Sequence, residues 1–552
     1  MTRVMKQATK QVMADKLNRL YRVAILSGLT AFVISPVVLA HSEGQAEAKR
    51  EFNKTLPLSA DRTLAVENKF GEVRVHGENG REVKITATIR TQANSQNKAD
   101  QLANAIRIEV SQDSQGVKVR TVNPDEPLVS IRIHRETSYS VDYDIAMPID
   151  SKLWVKNAFG DLDVRRVQAW SEVMNSNGNV TLHDSGAAKV TNSFGSVETA
   201  NASGKLTVIN ANGSVTVQGV KGELDVKDRF GSITVSGVQG AVSASGGNGA
   251  VSLTDVGTSV VSNSFGAFSA RNVHGDITVN NNNSTIDVNT VSGSAELKGS
   301  FGGISFSNIT GKVRCTSANA KVHGTMAGDV FVKTSFGEVT LEQISGPLEV
   351  EDSNSGITVR DAKGYATLTT SFGAIEAMGL AKGVRAINGN GSITVSDIGG
   401  EAYVKTTFGA ISAQRVAGNL AAEDSNGSIS ASAVSGDASA RTSFGSVKLE
   451  DIAGSITVVN ENGSVSAAAR PGTGCKNISI RTSFSPIRVQ LGQGSYTLSA
   501  RTSFGHINSE LPVTSSGEIS GESLNGTIGG GGGCTLTLSN SNSGIDILRL
   551  NK

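Results

Sequence analysis

The chain has 552 residues, with 62 Gly, 9 Pro and only 18% charged side chains; its net charge is +1. So even a balance sets up no field for nucleic acid or an acidic membrane, which excludes both as generic partners. Three cysteines, Cys315, Cys475 and Cys534, are too few for a disulfide framework and form no C-x-x-C pair. They read as isolated buried thiols, with one disulfide across stacked turns as the alternative.

The first forty residues read as a targeting segment. Arg3, Lys6, Lys10, Lys16, Arg19 and Arg22 make a basic region, and Val23 to Leu39 is apolar and uncharged. Val38-Leu39-Ala40 offers a cleavage site before His41. Residues 1–40 are therefore expected to be a signal peptide, with retention as a membrane anchor the alternative, since the apolar run nearly reaches spanning length. No second apolar span follows, so no membrane span is expected after cleavage. Residues 41–54 are polar and read as a linker.

Residues 55–150 form a β-rich entry or cap region. Arg62 to Glu67 and Gly71 to His76 alternate apolar with polar residues, as half-buried strands do. A short helix is expected over Asn97 to Ala105. Strands are expected at Ile106 to Val110, Val117 to Val122, Val129 to Ile133 and Tyr139 to Met147.

From 151 to 552 one phrase recurs. Thr442-Ser443-Phe444-Gly445 is a full copy, and a partner with Asn for Phe stands between copies, as at Asn462-Gly463. Marker residues from Gly160 to Gly463 recur every 17 to 19 residues; later ones are Ser485, Gly505, Gly526 and Gly544. Each period has inward apolar residues in a two-one-two grouping, as Ile233 and Val235, then Val238, then Val242 and Ala244. About 18 residues cannot hold a helical crossover. They can form one coil of a single-stranded parallel β-helix (β-solenoid), with two longer strands and one short one. The fold class is all-β, and the coils are expected to be right-handed. Twelve of the 17 Phe lie in the corner phrases. They are expected to plug the interior, because exposed they would make a long apolar stripe. The terminal run Ile545 to Leu550 is expected to cover the open end, and Gly529 to Gly533 to form a loop.

Three stretches carry a family resemblance: Leu64-Ala-Val-Glu-Asn-Lys-Phe-Gly-Glu-Val-Arg-Val, Tyr143-Asp-Ile-Ala-Met-Pro-Ile-Asp-Ser-Lys-Leu-Trp-Val, and the repeated Phe-Gly and Asn-Gly phrases. Over roughly 55 to 550 the chain resembles the bacterial putative-adhesin family of domains of unknown function, related to GIN-type head domains. That resemblance implies a secreted or envelope β-helix with adhesion as its proposed role. It supplies no catalytic residues.

No chemistry stands out on the repeat. Glu351-Asp352 and Glu423-Asp424 are the most suggestive acidic pairs, but four coils, about 19 Å, separate them, too far for a glycosidase dyad. Asp397 and Asp424 lie nearer, at non-equivalent positions. The seven His have no metal-ligand spacing. Catalytic, cofactor-binding and metal residues are therefore none. Recurrent outward threonines, Thr216, Thr234, Thr278, Thr358, Thr394 and Thr457, read as ordinary solvent-facing strand polarity, with a hydroxyl-rich face for glycan as the alternative. Trp154 and Trp170 are expected to be buried at the entry junction. The expected function is a non-enzymatic exported solenoid, periplasmic or at the cell surface, that binds or scaffolds a glycan or another envelope protein. A carbohydrate-active β-helix enzyme is the alternative.

Overall fold

A computed structural model describes residues 46–122, 137–516, 520–530 and 532–550. All the described residues but Ala46 belong to the unit Glu47–Lys552. The expected signal peptide and the expected strand Val129 to Ile133 lie outside the described residues.

The repeat forms stacked parallel coils. Each coil contributes one strand to each of two long parallel sheets, for example Leu224–Asp228 and Ile233–Val238. Equivalent residues stack in register: Val215 on Ile233 on Val251 in one sheet, Leu206 on Leu224 on Val242 in the other. Nineteen such coils follow one another, from Lys152–Phe159 with Leu162–Arg165 to Ile478–Arg481 with Ile487–Leu491. The inward columns are Val, Ile, Leu and Ala, nearly all fully buried. No single coil could hide such a face, so stacking itself makes the core.

The short third strand takes a different form. The lone apolar residue ends the six-residue strand, just after a residue with positive φ. Asp255 (52°), Asn272 (56°), Met326 (50°) and Ala433 (55°) hold this position in their coils. A left-handed residue bends the strand so that Val256, Val273, Ala327 and Val434 turn back inward. The spacing alone cannot separate a bent strand from two strands.

Both ends depart from sequence order. Strands Thr63–Glu67 and Val73–Glu78 lie between Gly116–Val122 with Ser138–Pro148 on one side and Lys152–Phe159 with Leu162–Arg165 on the other. At the far end, Cys534–Ser539 and Ile545–Arg549 insert between the Ile478–Arg481 coil and the later-stacked Tyr496–Arg501 and Ile507–Ser509. Ile545 to Leu550 is thus an internal rung and does not cover the end. Cover comes from antiparallel Ser523–Ile528, paired to Tyr496–Arg501 and Val513–Ser515. Gly526 sits inside that strand and marks no coil corner. At the entry end, Glu82–Ala93 runs antiparallel to Ser138–Pro148, and Arg107–Gln112 to Gly116–Val122. The helix spans Gln96–Ala105. Residues 46–54 are no linker: strand Ala46–Pro57 pairs with Glu82–Ala93. Antiparallel pairing covers both sheets at the entry end and the Tyr496–Arg501 sheet at the far end, where it blunts edges that could recruit another chain; the other sheet ends on the three-residue strand Ile507–Ser509.

Cys475 and Cys534 form a disulfide, with Cα atoms 5.9 Å apart. The inserted final coil brings together residues 59 apart in sequence, and spacing could not reveal that contact. Only Cys315 is an isolated buried thiol, and burial pushes its pKa up to about 12.

Candidate binding surface

The Phe and Asn phrases meet at one corner of the coil. Asn177 stacks between Phe159 and Phe194, and Phe194 between Asn177 and Asn212. Backbone hydrogen bonds carry the column onward, as from the Asn462 N–H to Ser443 O and from the Phe484 N–H to Glu461 O. The alternation survives where the sequence breaks it. Phe484 and Phe504 are consecutive corner phrases in the chain, but the inserted final coil sets Asn542 between them.

The phenylalanines point outward. Phe159, Phe194, Phe230, Phe265, Phe301, Phe336, Phe372, Phe408, Phe444, Phe484 and Phe504 are 46–80% exposed. The expected interior plug is therefore overturned, and the reason sits two residues earlier. Asn192, Asn210, Asn263, Thr406, Thr442 and Asn460 occupy the inside of the corner and are buried. Their side chains donate to marker carbonyls: Asn460 Nδ2 to Gly445 O (2.8 Å) and Gly463 O (2.9 Å), Thr406 Oγ1 to Gly391 O (2.9 Å). This polar ladder satisfies backbone groups that the turn leaves open, and where it stands it leaves the ring no room inside; Phe301 points outward as well, although Gly299 places no side chain there. The Thr of Thr-Ser-Phe-Gly was the available signal.

Asparagine rungs behave differently from phenylalanine rungs. Asn177, Asn212, Asn283, Asn354, Asn390, Asn426, Asn462 and Asn542 each donate Nδ2 to the carbonyl just before the preceding phenylalanine, at 3.0–3.2 Å. Each amide is held along the corner and does not project from it. The surface is a comb: rings at every second coil, about 9.6 Å apart at ~4.8 Å per rung, with polar floors between. Phe70 and Phe159 alone occupy adjacent rungs, and their rings stack with centroids 5.2 Å apart.

Other expected features lie elsewhere. Glu351 and Glu423 face outward in ion pairs with Lys333 (2.6 Å) and Lys405 (3.0 Å). Asp352 and Asp424 turn into the polar ladder, where burial raises their pKa against the opposing pull of backbone N–H donors. Asp397 sits on the positive-φ bend, bonded through both carboxylate oxygens to Arg415 at 2.6 and 2.8 Å. These acids do not converge. Thr216, Thr234, Thr358 and Thr394 lie on one sheet, Thr278 and Thr457 on the other, so they form no single face. Trp154 is half-buried, whereas Trp170 is exposed at 45%, against expectation. Among the described residues, no three His, Cys, Asp or Glu side chains group as a metal site. On the second sheet, small Ala421 and Ser439 follow Tyr403 and leave a hollow of about 460 Å³ edged by Tyr365, Glu401 and Asp437.

No family model matches the chain, and no curated protein matches it. Among solved structures, it is similar to a "putative cell adhesion protein" from Clostridium sporogenes ATCC 15579. The two are 11% identical with a TM-score of 0.21, covering 33% of this chain and 100% of that one. At that score the likeness carries no inference about activity.

Proposed function

We propose that this chain is an exported, non-catalytic β-solenoid of the bacterial envelope that binds or scaffolds through its phenylalanine comb, in the manner expected of an adhesin. The observation that carries this reading is the line of eleven half-exposed or more exposed phenylalanines. Removing each ring's open area from water would be favourable, and soluble proteins rarely expose so much aligned apolar surface without a contact to make. Two features support export. One is the basic-then-apolar segment ending at Leu39; the other is the Cys475–Cys534 bond, a kind that persists in oxidising compartments.

The test replaces four consecutive teeth, Phe336, Phe372, Phe408 and Phe444, with Ser. Retention of the purified chain on isolated envelopes is then measured beside its unfolding midpoint. Retention should fall at least tenfold with the midpoint unchanged, because the rings touch solvent and not the core. Unchanged retention sinks the comb as the contact surface. Turnover of uronate polymers would favour the carbohydrate-active alternative, and recovery of the chain only from cytosol would remove export.

A further inference from the structure

The comb's pitch specifies its occupant. A ring set midway between two teeth lies about 4.8 Å from each, inside the 4.5–7 Å centroid range of favourable aromatic pairs. The chain already contains such a contact, the Phe70–Phe159 stack at 5.2 Å on adjacent rungs. Each gap over an asparagine therefore fits one ring. A partner that fills every gap must repeat at two coils and keep step over the whole row. A polypeptide strand, advancing about 6.8 Å per two residues, falls out of step after one tooth. A second comb does not.

Symmetry and charge narrow this further. A two-fold axis along the coil stack faces like rung to like rung and sets ring against ring. A two-fold across the stack reverses one copy and allows the half-step offset, in a closed, isologous pair. Ten rings of each copy can then seat over partner asparagines in two registers, which place Phe336 over Asn354 or over Asn319. Of the residues immediately preceding the comb rungs from Phe159 to Phe504, only Arg229 and Glu461 are charged. In the Phe336-over-Asn354 register, Phe230 seats over Asn462, so Arg229 faces the Glu461 rung across the interface, twice by symmetry. Area agrees as well. If each ring loses about 100 Å² of the 150–250 Å² that an aromatic side chain can bury, ten rings remove about 1,000 Å² per copy, above the ~800 Å² of a standard interface.

We propose that the comb is filled by a second copy of this chain, running antiparallel, with rings interleaved and Arg229 opposite Glu461. This rests on the comb being the binding surface. The test is sedimentation equilibrium of the full chain and three variants, with thermal unfolding as the check on folding. Wild type should sediment as a dimer. Asn354→Phe with Asn390→Phe fills two gaps and should give monomers, even though it adds apolar surface; a merely sticky stripe would associate more. Arg229→Glu should weaken the dimer at least tenfold at low salt, and Glu461→Arg in the same chain should restore it. A dimer untouched by gap filling overturns the proposal. Monomeric wild type that still needs its phenylalanines to hold envelopes also overturns it, while leaving the proposed function standing. Monomeric wild type that binds phosphatidylcholine vesicles through the comb replaces the second copy with a lipid surface. Monomers whose Phe→Ser variant holds envelopes unchanged overturn both readings.

Discussion

At the scale of single residues, the two conformationally demanding positions in each coil behave differently. On the bend, left-handed backbone is occupied by Gly219, Gly237 and Gly379 in some coils, but by Met326 and Ala433 in others. A side chain there costs about 1–2 kcal/mol in local strain. Met326 is exposed and contributes little packing, so Met326→Gly should stabilise the chain by about 0.5–1 kcal/mol after the entropy of glycine is charged against it. A rise in the denaturant midpoint checks this. In the polar ladder, Asp352 and Asp424 stand where Asn388 and Asn460 stand in other coils. Burial raises their folded pKa, so the folded chain holds protons that the unfolded chain has already released. Their contribution to stability therefore falls as pH rises from the ordinary carboxylate value through the raised one. Asp352→Asn and Asp424→Asn supply the missing amide donor. Each should gain about 1 kcal/mol at pH 7 and nothing below about pH 4, where the acids are protonated in both states. Urea melts across pH test the sign.

At the scale of the coil, the residue after the corner Phe or Asn is Ser284, Ala320 or Ser485 in some coils, but at Gly445 and Gly463 it has no room for a side chain. A Cβ on Gly445 would meet Gly427 O at 1.8 Å, and one on Gly463 would meet Gly445 O at 1.9 Å. The strands above and below hold both carbonyls in place. Gly445→Ala should therefore cost about 2–4 kcal/mol, seen first as protease cutting near residue 445, because each coil leans only on its neighbours. The strands themselves were legible: Ile233, Val235 and Val238 announced their inward face by spacing alone. The bend at Gly237 was not, since a kinked strand and two short strands share one apolar pattern. The comb was half legible. Alternation of Phe with Asn was plain, but its direction depended on recognising that Thr442, two residues before Phe444, claims the interior by bonding Gly427 O at 3.2 Å.

At the scale of the whole solenoid, the ends were the least legible part. Strand order there follows no local rule, because a parallel rung accepts any strand with the right inward pair. Val458 stacks on Ile480, and Ile480 on Leu538 instead of on the next strand in the chain. The Cys475–Cys534 bond fastens this arrangement. A loop of that length contributes about 4 kcal/mol through the unfolded chain. Cys475→Ser with Cys534→Ser should accordingly lower the unfolding midpoint of the C-terminal coils, with early amide exchange beyond residue 478 and protection retained before it. Uniform loss of protection would show instead that the coils unfold as one block.

The displaced final coil also acts on the order of assembly. A chain wound coil by coil from its N-terminal side would lay Tyr496–Arg501 directly on Ile478–Arg481, a pairing the inward Tyr, Leu and Ala would tolerate. The finished molecule requires that slot to stay vacant until Cys534–Ser539 arrives. A mis-threaded end would carry Phe504 on the rung beside Phe484, with no asparagine between them. The corner column thus records whether winding finished in the right order: two touching rings at that end are the mark of a chain closed too soon.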